Sequence, residues 1–166
     1  MNVATNFKWI EAANYGELSK IAATIFIDQL KKDSSTVFGM ATGGTPEGFY
    51  KKLVAAYKAG EVSFKQAKSF NLDEYIGINP ANEASYHYYM DYNLFNHIDM
   101  KRVNIYLPAG NKSNLEKAAA EYDALINAAG NIDIQLLGIG VNGYIGINDP
   151  GTPFDLGTNI GERAQS

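Results

Sequence analysis

The sequence has no cysteine among its 166 residues and only two histidines. Without cysteine, the chain can hold no disulfide framework, no thiolate metal site and no cysteine nucleophile. His87 and His97 are isolated, with no second ligand at metal spacing, and no serine–histidine–aspartate arrangement accompanies them. We therefore predict no bound metal, and we interpret His87 as a side chain that packs or points to solvent.

A cluster of basic residues is also missing, and 18 acidic residues against 14 basic ones give a formal net charge of −4. This balance argues against nucleic acid as a partner, and an anionic ligand would need a local site to hold it. No segment is long and apolar enough to span a membrane, and residues 1–9 lack the apolar core of a signal peptide. We expect a cytoplasmic protein that does not bind membranes.

The composition itself is globular, with 46% hydrophobic and 19% charged residues, and the length suits one domain over residues 1–166. Strand and helix patterns alternate along the chain, which favours a three-layer αβα fold with a mainly parallel, Rossmann-like sheet. We predict strands from Val37 and at 68–72, 102–107 and 132–137, and helices at 11–33, from Pro46 to about Lys58, from Ser85 through Phe95, and from Ser113 through Ala129.

Local signals refine the helix predictions. Asn14 with Glu17, and Ser113 with Glu116, resemble capping pairs, and Thr45 is a good N-cap for a helix that starts at Pro46. The buried stripe of the first helix is predicted to comprise Leu18, Ile21, Ala22, Ile25 and Leu30, and that of the fourth Leu115, Ala118, Ala119, Tyr122, Leu125, Ile126 and Ala129. The tyrosines from Tyr86 to Tyr92 are interpreted as core.

The turn at residues 41–46, Ala-Thr-Gly-Gly-Thr-Pro, follows a buried strand and opens a helix. Such a turn directs backbone N–H groups and the positive end of a helix dipole at one spot, and its two glycines let an anion come close. The alternative interpretation is an ordinary tight turn between a strand and a helix. Parallel strands bring this turn, Asp73 and the glycine loop after Leu137 to one edge of the sheet, where ligands bind in such folds.

Two further patterns bear on chemistry. Gly138, Gly140 and Gly143 match a dinucleotide-binding spacing, but the residues that follow are typical of a loop rather than a helix, so we predict no nucleotide cofactor and no other cofactor. Asp73 and Glu74 come where the second strand ends. One interpretation is that both are solvated loop acids. The anion-binding turn predicted at residues 41–46, after the preceding strand, instead favours Asp73 as a general base.

Three motifs together resemble the glucosamine-6-phosphate deaminase (isomerase) family. The first motif is residues 41–46, and the second is residues 70–77 (Phe-Asn-Leu-Asp-Glu-Tyr-Ile-Gly). The third covers residues 137–151, from Leu-Gly-Ile-Gly at 137–140 to Ile-Asn-Asp-Pro-Gly at 147–151. The three motifs occur in the family's order. The resemblance runs from the first helix to about Phe154. It implies a sugar phosphate held by Thr42, Gly43, Gly44 and Thr45, and a proton moved between C2 and C1 by Asp73 during aldose–ketose isomerisation, followed by loss of ammonia.

The chain departs from this family in two respects. The family's ring-opening carboxylate–histidine–carboxylate group falls on Asn142, Tyr144 and Asp149, and a tyrosine with an ordinary pKa near 10 carries protons poorly at neutral pH. The sequence also ends at Ser166, before the family's remaining strands and the basic residues of its phosphate site. A fragment of a longer protein or a reduced relative is expected, and an unpartnered sheet edge favours association into a homo-oligomer.

Three functions are compatible with the resemblance, and we give them in order of preference. The first is an amino-sugar phosphate isomerase/deaminase acting on glucosamine 6-phosphate or galactosamine 6-phosphate. The second is a sugar-phosphate binding or sensing module without catalysis, although no helix-turn-helix of a regulator precedes the domain. The third is a 6-phosphogluconolactonase-like hydrolase, ranked low because residues 70–75 carry the deaminase motif.

Overall fold

The computed structural model describes residues 7–141, 143–146, 148, 151–153 and 155–161. Its centre is a four-stranded sheet in the order β3-β2-β1-β4, in which all three strand pairs are parallel. The strands are β1 (Val37–Met40), β2 (Lys68–Asn71), β3 (Ile105–Tyr106) and β4 (Ile134–Gln135). The chain moves outward from β1 to β3 and then returns to the other side of β1, so the strand order reverses between β1 and β4. Such a switch point is where open α/β sheets bind ligands.

Within the described ranges, four α-helices surround the sheet: α1 (Tyr15–Lys32), α2 (Glu47–Lys58), α3 (Tyr86–Asn93) and α4 (Leu115–Ala128). Successive side chains of β1 point to opposite faces. Phe38 joins the larger core with residues of α1, α2 and α3, whereas Val37 joins a smaller one with Phe70 and Tyr122 of α4. The predicted three-layer α/β architecture is therefore confirmed. No helix among the described residues is long and apolar enough to cross a membrane.

The buried face of α1 differs from the predicted stripe. Leu30 is buried as expected, but Leu18 and Ile25 are 46% and 48% exposed. Ala23 and Phe26 are buried instead, and the ring of Phe26 stacks on that of Phe38 with centroids 5.6 Å apart. The prediction followed aliphatic side chains, whereas aromatic stacking against β1 sets the rotation of the helix. On α4 the prediction was also partly wrong, because only Tyr122 is fully buried and Leu125 is 44% exposed.

Caps and strand lengths were predicted with mixed success. The side chain of Asn14 accepts a hydrogen bond from the Glu17 N–H, as expected, and Ser85 caps α3 by accepting one from the Tyr88 N–H. The Ser113 cap was wrong, because Asn114 caps α4 by accepting from the N–H of Lys117 at 2.9 Å. The third strand was overpredicted, since Arg102–Asn104 form a 3₁₀ turn before the short β3.

The hydroxyl of Tyr122 joins α4 to the sheet. It donates to the carbonyl oxygens of Asn71, at 2.8 Å, and Tyr106, at 3.2 Å, on neighbouring strands. Tyr122→Phe is expected to lower the free energy of unfolding by about 1–2 kcal/mol, because it leaves buried acceptors without a donor. Urea denaturation measures this. Tyr88→Phe is the matched control, since its hydroxyl bonds to no described residue; an equal loss in both variants would contradict the assignment.

Candidate functional site

A pocket of about 480 Å³ lies at the carboxyl edge of the sheet. Met40 of β1 is in register with Asn71 of β2, and the Leu72 N–H donates to the Met40 carbonyl at 3.1 Å. The loops that leave these two strands therefore start side by side. Residues 42–45, Asp73 and Tyr144 all line the pocket, as do residues 136–140 after β4. The predicted meeting of the turn at residues 41–46 (the glycine turn), Asp73 and the loop after Leu137 is confirmed.

The glycine turn is shaped to present main-chain donors. Gly43 has a φ of +115°, which an L side chain rarely adopts, and a Cβ at Gly43 or Gly44 would meet no atom within 4 Å. Within the described part of the chain, the N–H groups of Gly43, Gly44 and Thr45 donate to no protein acceptor. The N-terminus of α2 follows immediately and adds its positive dipole end. The turn thus combines space, free donors and positive potential.

The cap of α2 was predicted wrongly. The helix starts at Glu47 rather than Pro46, and Pro46 occupies the N-cap position without a side-chain hydrogen bond. The Tyr15 hydroxyl of α1 takes that role and accepts from the Gly48 N–H at 2.8 Å. A Cβ at Gly48 would come within 2.9 Å of the Tyr15 oxygen and closer still to Ser19, so glycine is needed here for the two helices to meet.

Tyr86 was interpreted as core, yet it lines the pocket between the two loops. Its hydroxyl donates to that of Tyr75 at 3.1 Å. Burial raises the pKa of Tyr86 well above 10, and the hydrogen bond to Tyr75 and the charge of Asp73 act in the same direction, whereas a hydrogen bond from Thr42 opposes them. The phenol therefore stays neutral at physiological pH and connects Thr42 of the glycine turn with the surroundings of Asp73.

Glu74 explains how Tyr86 reaches this position. Its side chain is only 2% exposed, and its carboxylate accepts hydrogen bonds from the N–H groups of Tyr75, Tyr86 and His87 at 2.9, 3.0 and 3.1 Å. His87 Nδ1 lies 2.8 Å from the same carboxylate. Glu74 thus fastens the N-terminus of α3 to the end of β2. His87 is held by this contact rather than packing among tyrosines, which no sequence spacing indicated.

The loop that follows β4 brings Tyr144 to the pocket. The Gly140 N–H donates to the Tyr144 carbonyl at 3.0 Å, and a Cβ at Gly140 would come within 2.3 Å of the Tyr144 ring. Gly140 therefore lets this ring lie against the main chain. The described residues after Gly138 form turns and isolated bridges rather than a helix, in line with the loop that was predicted here. Asn142 and Asp149 lie outside the described residues.

No group of three or more potential metal-ligating side chains occurs among the described residues. The buried groups that do stand out are phenols: burial raises the pKa of Tyr50, Tyr86, Tyr89 and Tyr122 well above 10. These groups hold their protons more tightly in the folded than in the unfolded chain. Their contribution to stability is complete below pH 10 and is lost as the pH rises from 10 towards the folded-state values.

We therefore expect the urea midpoint to fall as the pH rises above 10, while some phenols ionise only on unfolding. Phenolate absorbance and urea denaturation, followed over the same pH series, measure the two effects. Tyr122→Phe is expected to reduce the fall because it removes one of these groups. A midpoint that does not change above pH 10 would contradict the burial of these phenols.

Comparison with known proteins agrees with this geometry. The model of the family described as glucosamine-6-phosphate isomerases/6-phosphogluconolactonase matches residues 12–146. A glucosamine-6-phosphate deaminase of Lysinibacillus sphaericus is 54% identical over 159 residues, covering 96% of this chain and 67% of the relative. Glucosamine-6-phosphate deaminase 2 of Bacillus subtilis is 43% identical over 159 residues, covering 96% of this chain and 64% of its own length. The chain thus spans about two thirds of these curated relatives.

Solved structures give the same result for the fold. A monomeric glucosamine-6-phosphate deaminase superposes with a TM-score of 0.88 at 45% identity, over 90% of this chain and 62% of that one. A 6-phosphogluconolactonase from Plasmodium vivax, at 20% identity, shares the fold with a TM-score of 0.72 over 87% of this chain and 52% of its own. The sequence motifs and these matches lead to one conclusion: the chain belongs to the glucosamine-6-phosphate isomerase/6-phosphogluconolactonase family.

Proposed function

We propose that this protein binds a 6-phosphorylated amino sugar, glucosamine 6-phosphate or galactosamine 6-phosphate, and converts it to the ketose 6-phosphate and ammonia. The observation that carries the proposal is the pocket itself, in which the free donors of the glycine turn and the carboxylate of Asp73 line one cavity. A phosphorylated aldose needs both features, an anion site at one end and an acid–base group near C1 and C2. A relative that is 54% identical carries the name of this deaminase.

The phosphate end is assigned to Thr42, Gly43, Gly44 and Thr45. Free main-chain N–H groups next to a helix N-terminus bind phosphate through hydrogen bonds and through the helix dipole. Thr42 and Thr45 line the same cavity, and the hydroxyl of Thr45 can donate a further bond. A local site of this kind can hold an anion although the chain as a whole is negatively charged.

The chemistry is assigned to Asp73. In the open-chain sugar its carboxylate takes the proton from C2, the electron pair forms the C1–C2 double bond, and O1 takes a proton from water to complete an enol. The same carboxylic acid then returns a proton to C1, while the nitrogen on C2 gives up a proton to the hydroxide that is left. The nitrogen on C2 is then part of an imine, and addition of water releases ammonia and leaves the ketone. Asp73 is regenerated in its ionised form, so the sequence of steps is catalytic.

The ring-opening end is assigned to Tyr144, Asn142 and Asp149. Tyr144 lines the pocket with Asp73, so its hydroxyl can hydrogen-bond a sugar oxygen in the cavity. At neutral pH a phenol supplies a hydrogen bond more readily than it gives up a proton. Ring opening is therefore proposed to be slow, and an already open sugar is the better substrate.

Direct assay tests the proposal. Release of ammonia and of fructose 6-phosphate from glucosamine 6-phosphate would support the enzyme, and protection by this ligand against heat would support the pocket. Hexose-phosphate binding without any turnover would overturn the enzyme in favour of a sensing module. Hydrolysis of 6-phosphogluconolactone would favour the lactonase, the other activity that the family's description includes. We further propose that the protein works in the cytoplasm, where phosphorylated sugars are made and retained.

A further inference from the structure

Three tyrosine hydroxyls bind the carbonyl oxygens of the glycine turn. Tyr50 of α2 donates to the Ala41 carbonyl at 2.5 Å, and Tyr89 of α3 donates to the Gly43 carbonyl at 2.6 Å. Tyr15 of α1 donates to the Thr45 carbonyl at 2.9 Å and approaches that of Gly44 at 3.2 Å. Each phenol comes from a different helix, so hydrogen bonds from three helices hold the turn in place.

Because the peptide bond is planar, a hydrogen bond that fixes a carbonyl also fixes the direction of the next N–H group. In a trans peptide the carbonyl of one residue and the N–H of the next point in opposite directions. A phenol that holds the Gly43 carbonyl therefore also fixes the direction of the Gly44 N–H. In the same way, Tyr15 on the Gly44 carbonyl fixes the Thr45 N–H, and Tyr50 on the Ala41 carbonyl fixes the Thr42 N–H.

Tyr15 has a second role at the same point. Its oxygen accepts the first-turn N–H of Gly48 and so takes the place of the missing N-cap side chain of α2. The hydroxyl of Thr45, the residue whose type would ordinarily provide that cap, makes no capping bond. The Thr45 hydroxyl is thereby left for a ligand, although it adjoins a helix that needs capping.

We infer that Tyr15 and Tyr89 are positioning residues for phosphate: they hold the carbonyls of the glycine turn outward so that its N–H groups converge on the anion. The inference rests on the proposed function for the identity of the ligand, a sugar phosphate. A turn held in this way needs little reorganisation on binding, which is how preorganised donors gain affinity. The two phenols do not touch the anion and act through the main chain.

The test compares Tyr15→Phe and Tyr89→Phe with the unchanged protein. Titration calorimetry measures the dissociation constants for glucosamine 6-phosphate and for inorganic phosphate. Each variant is expected to bind both probes about 3- to 10-fold more weakly, the fold-change that corresponds to one neutral hydrogen bond. Affinity for unphosphorylated glucosamine is expected to change by less than about twofold, because the turn contacts only the phosphate.

Tyr92→Phe is the matched control, since Tyr92 also lies on α3 but is 68% exposed and outside the pocket. Tyrosine variants that bind phosphate as tightly as the unchanged protein would overturn the inference and leave the proposed function standing. An equal loss of affinity for phosphorylated and unphosphorylated sugar would also overturn it, because that pattern indicates general damage to the pocket. Phosphate binding that depends on both phenols, without turnover, would support the inference while overturning the proposed enzyme.

Discussion

Asp73→Asn is expected to slow exchange of the C2 hydrogen of glucosamine 6-phosphate with solvent by about 10²- to 10⁴-fold, with little change in affinity. Asparagine has nearly the same shape but cannot accept the proton. Asp73 lines the pocket beside Tyr86 and lies two residues after β2, so its loss should affect the reacting carbons rather than the anion site at the glycine turn. The effect should therefore appear in the rate and not in the binding constant.

Deuterium incorporation at C1 and C2, followed by NMR in heavy water, measures the proton transfer in the open-chain sugar without requiring ammonia release to be fast. Calorimetry provides the affinity. Asp28→Asn is the matched control, because Asp28 is exposed on α1 and lies outside the pocket. Unchanged exchange in Asp73→Asn, in a variant that still binds the sugar phosphate, would remove Asp73 from the chemistry.

Gly43→Ala is expected to weaken binding of glucosamine 6-phosphate by about 10- to 100-fold. A side chain at a φ of +115° costs about 1–3 kcal/mol, so the turn would relax away from the conformation that presents its N–H groups. The added methyl group meets no atom within 4 Å, so the effect comes from the backbone and not from a clash. Calorimetric titration measures it.

Gly130→Ala separates loss of the site from strain in general. Gly130 also has a positive φ, +98°, and open space around it, but it follows α4 at the opposite edge of the sheet. Both variants should lose comparable thermal stability, and only Gly43→Ala should lose affinity. Equal affinity in the two variants would show that the glycine turn does not bind the anion.

The position of the candidate site could be predicted from sequence because it depends on few steps. Apolar runs identify strands, alternation with helices predicts parallel pairing, and parallel pairing places residues 42–45 beside Asp73. The register of Met40 with Asn71 confirms the parallel pairing of β1 with β2. The same reasoning predicted that the loop after Gly138 would not open a helix.

The contacts that shape the site could not be predicted, because they join residues far apart in sequence. Tyr15 and Tyr89 reach the glycine turn across 29 to 46 positions, and no local pattern distinguishes them from tyrosines of the core. The cap of α2 was missed for the same reason, since a phenol from another helix supplies it. Glu74 was interpreted as a second loop acid, and only the fold shows that its carboxylate fastens α3.

A crystal structure with an open-chain amino-hexitol 6-phosphate would test the central claim most directly. The account predicts phosphate oxygens within hydrogen-bonding distance of the N–H groups of Gly43, Gly44 and Thr45, with the Asp73 carboxylate against C1 and C2 of the same molecule. A phosphate bound away from the glycine turn, or C1 and C2 out of reach of Asp73, would contradict it.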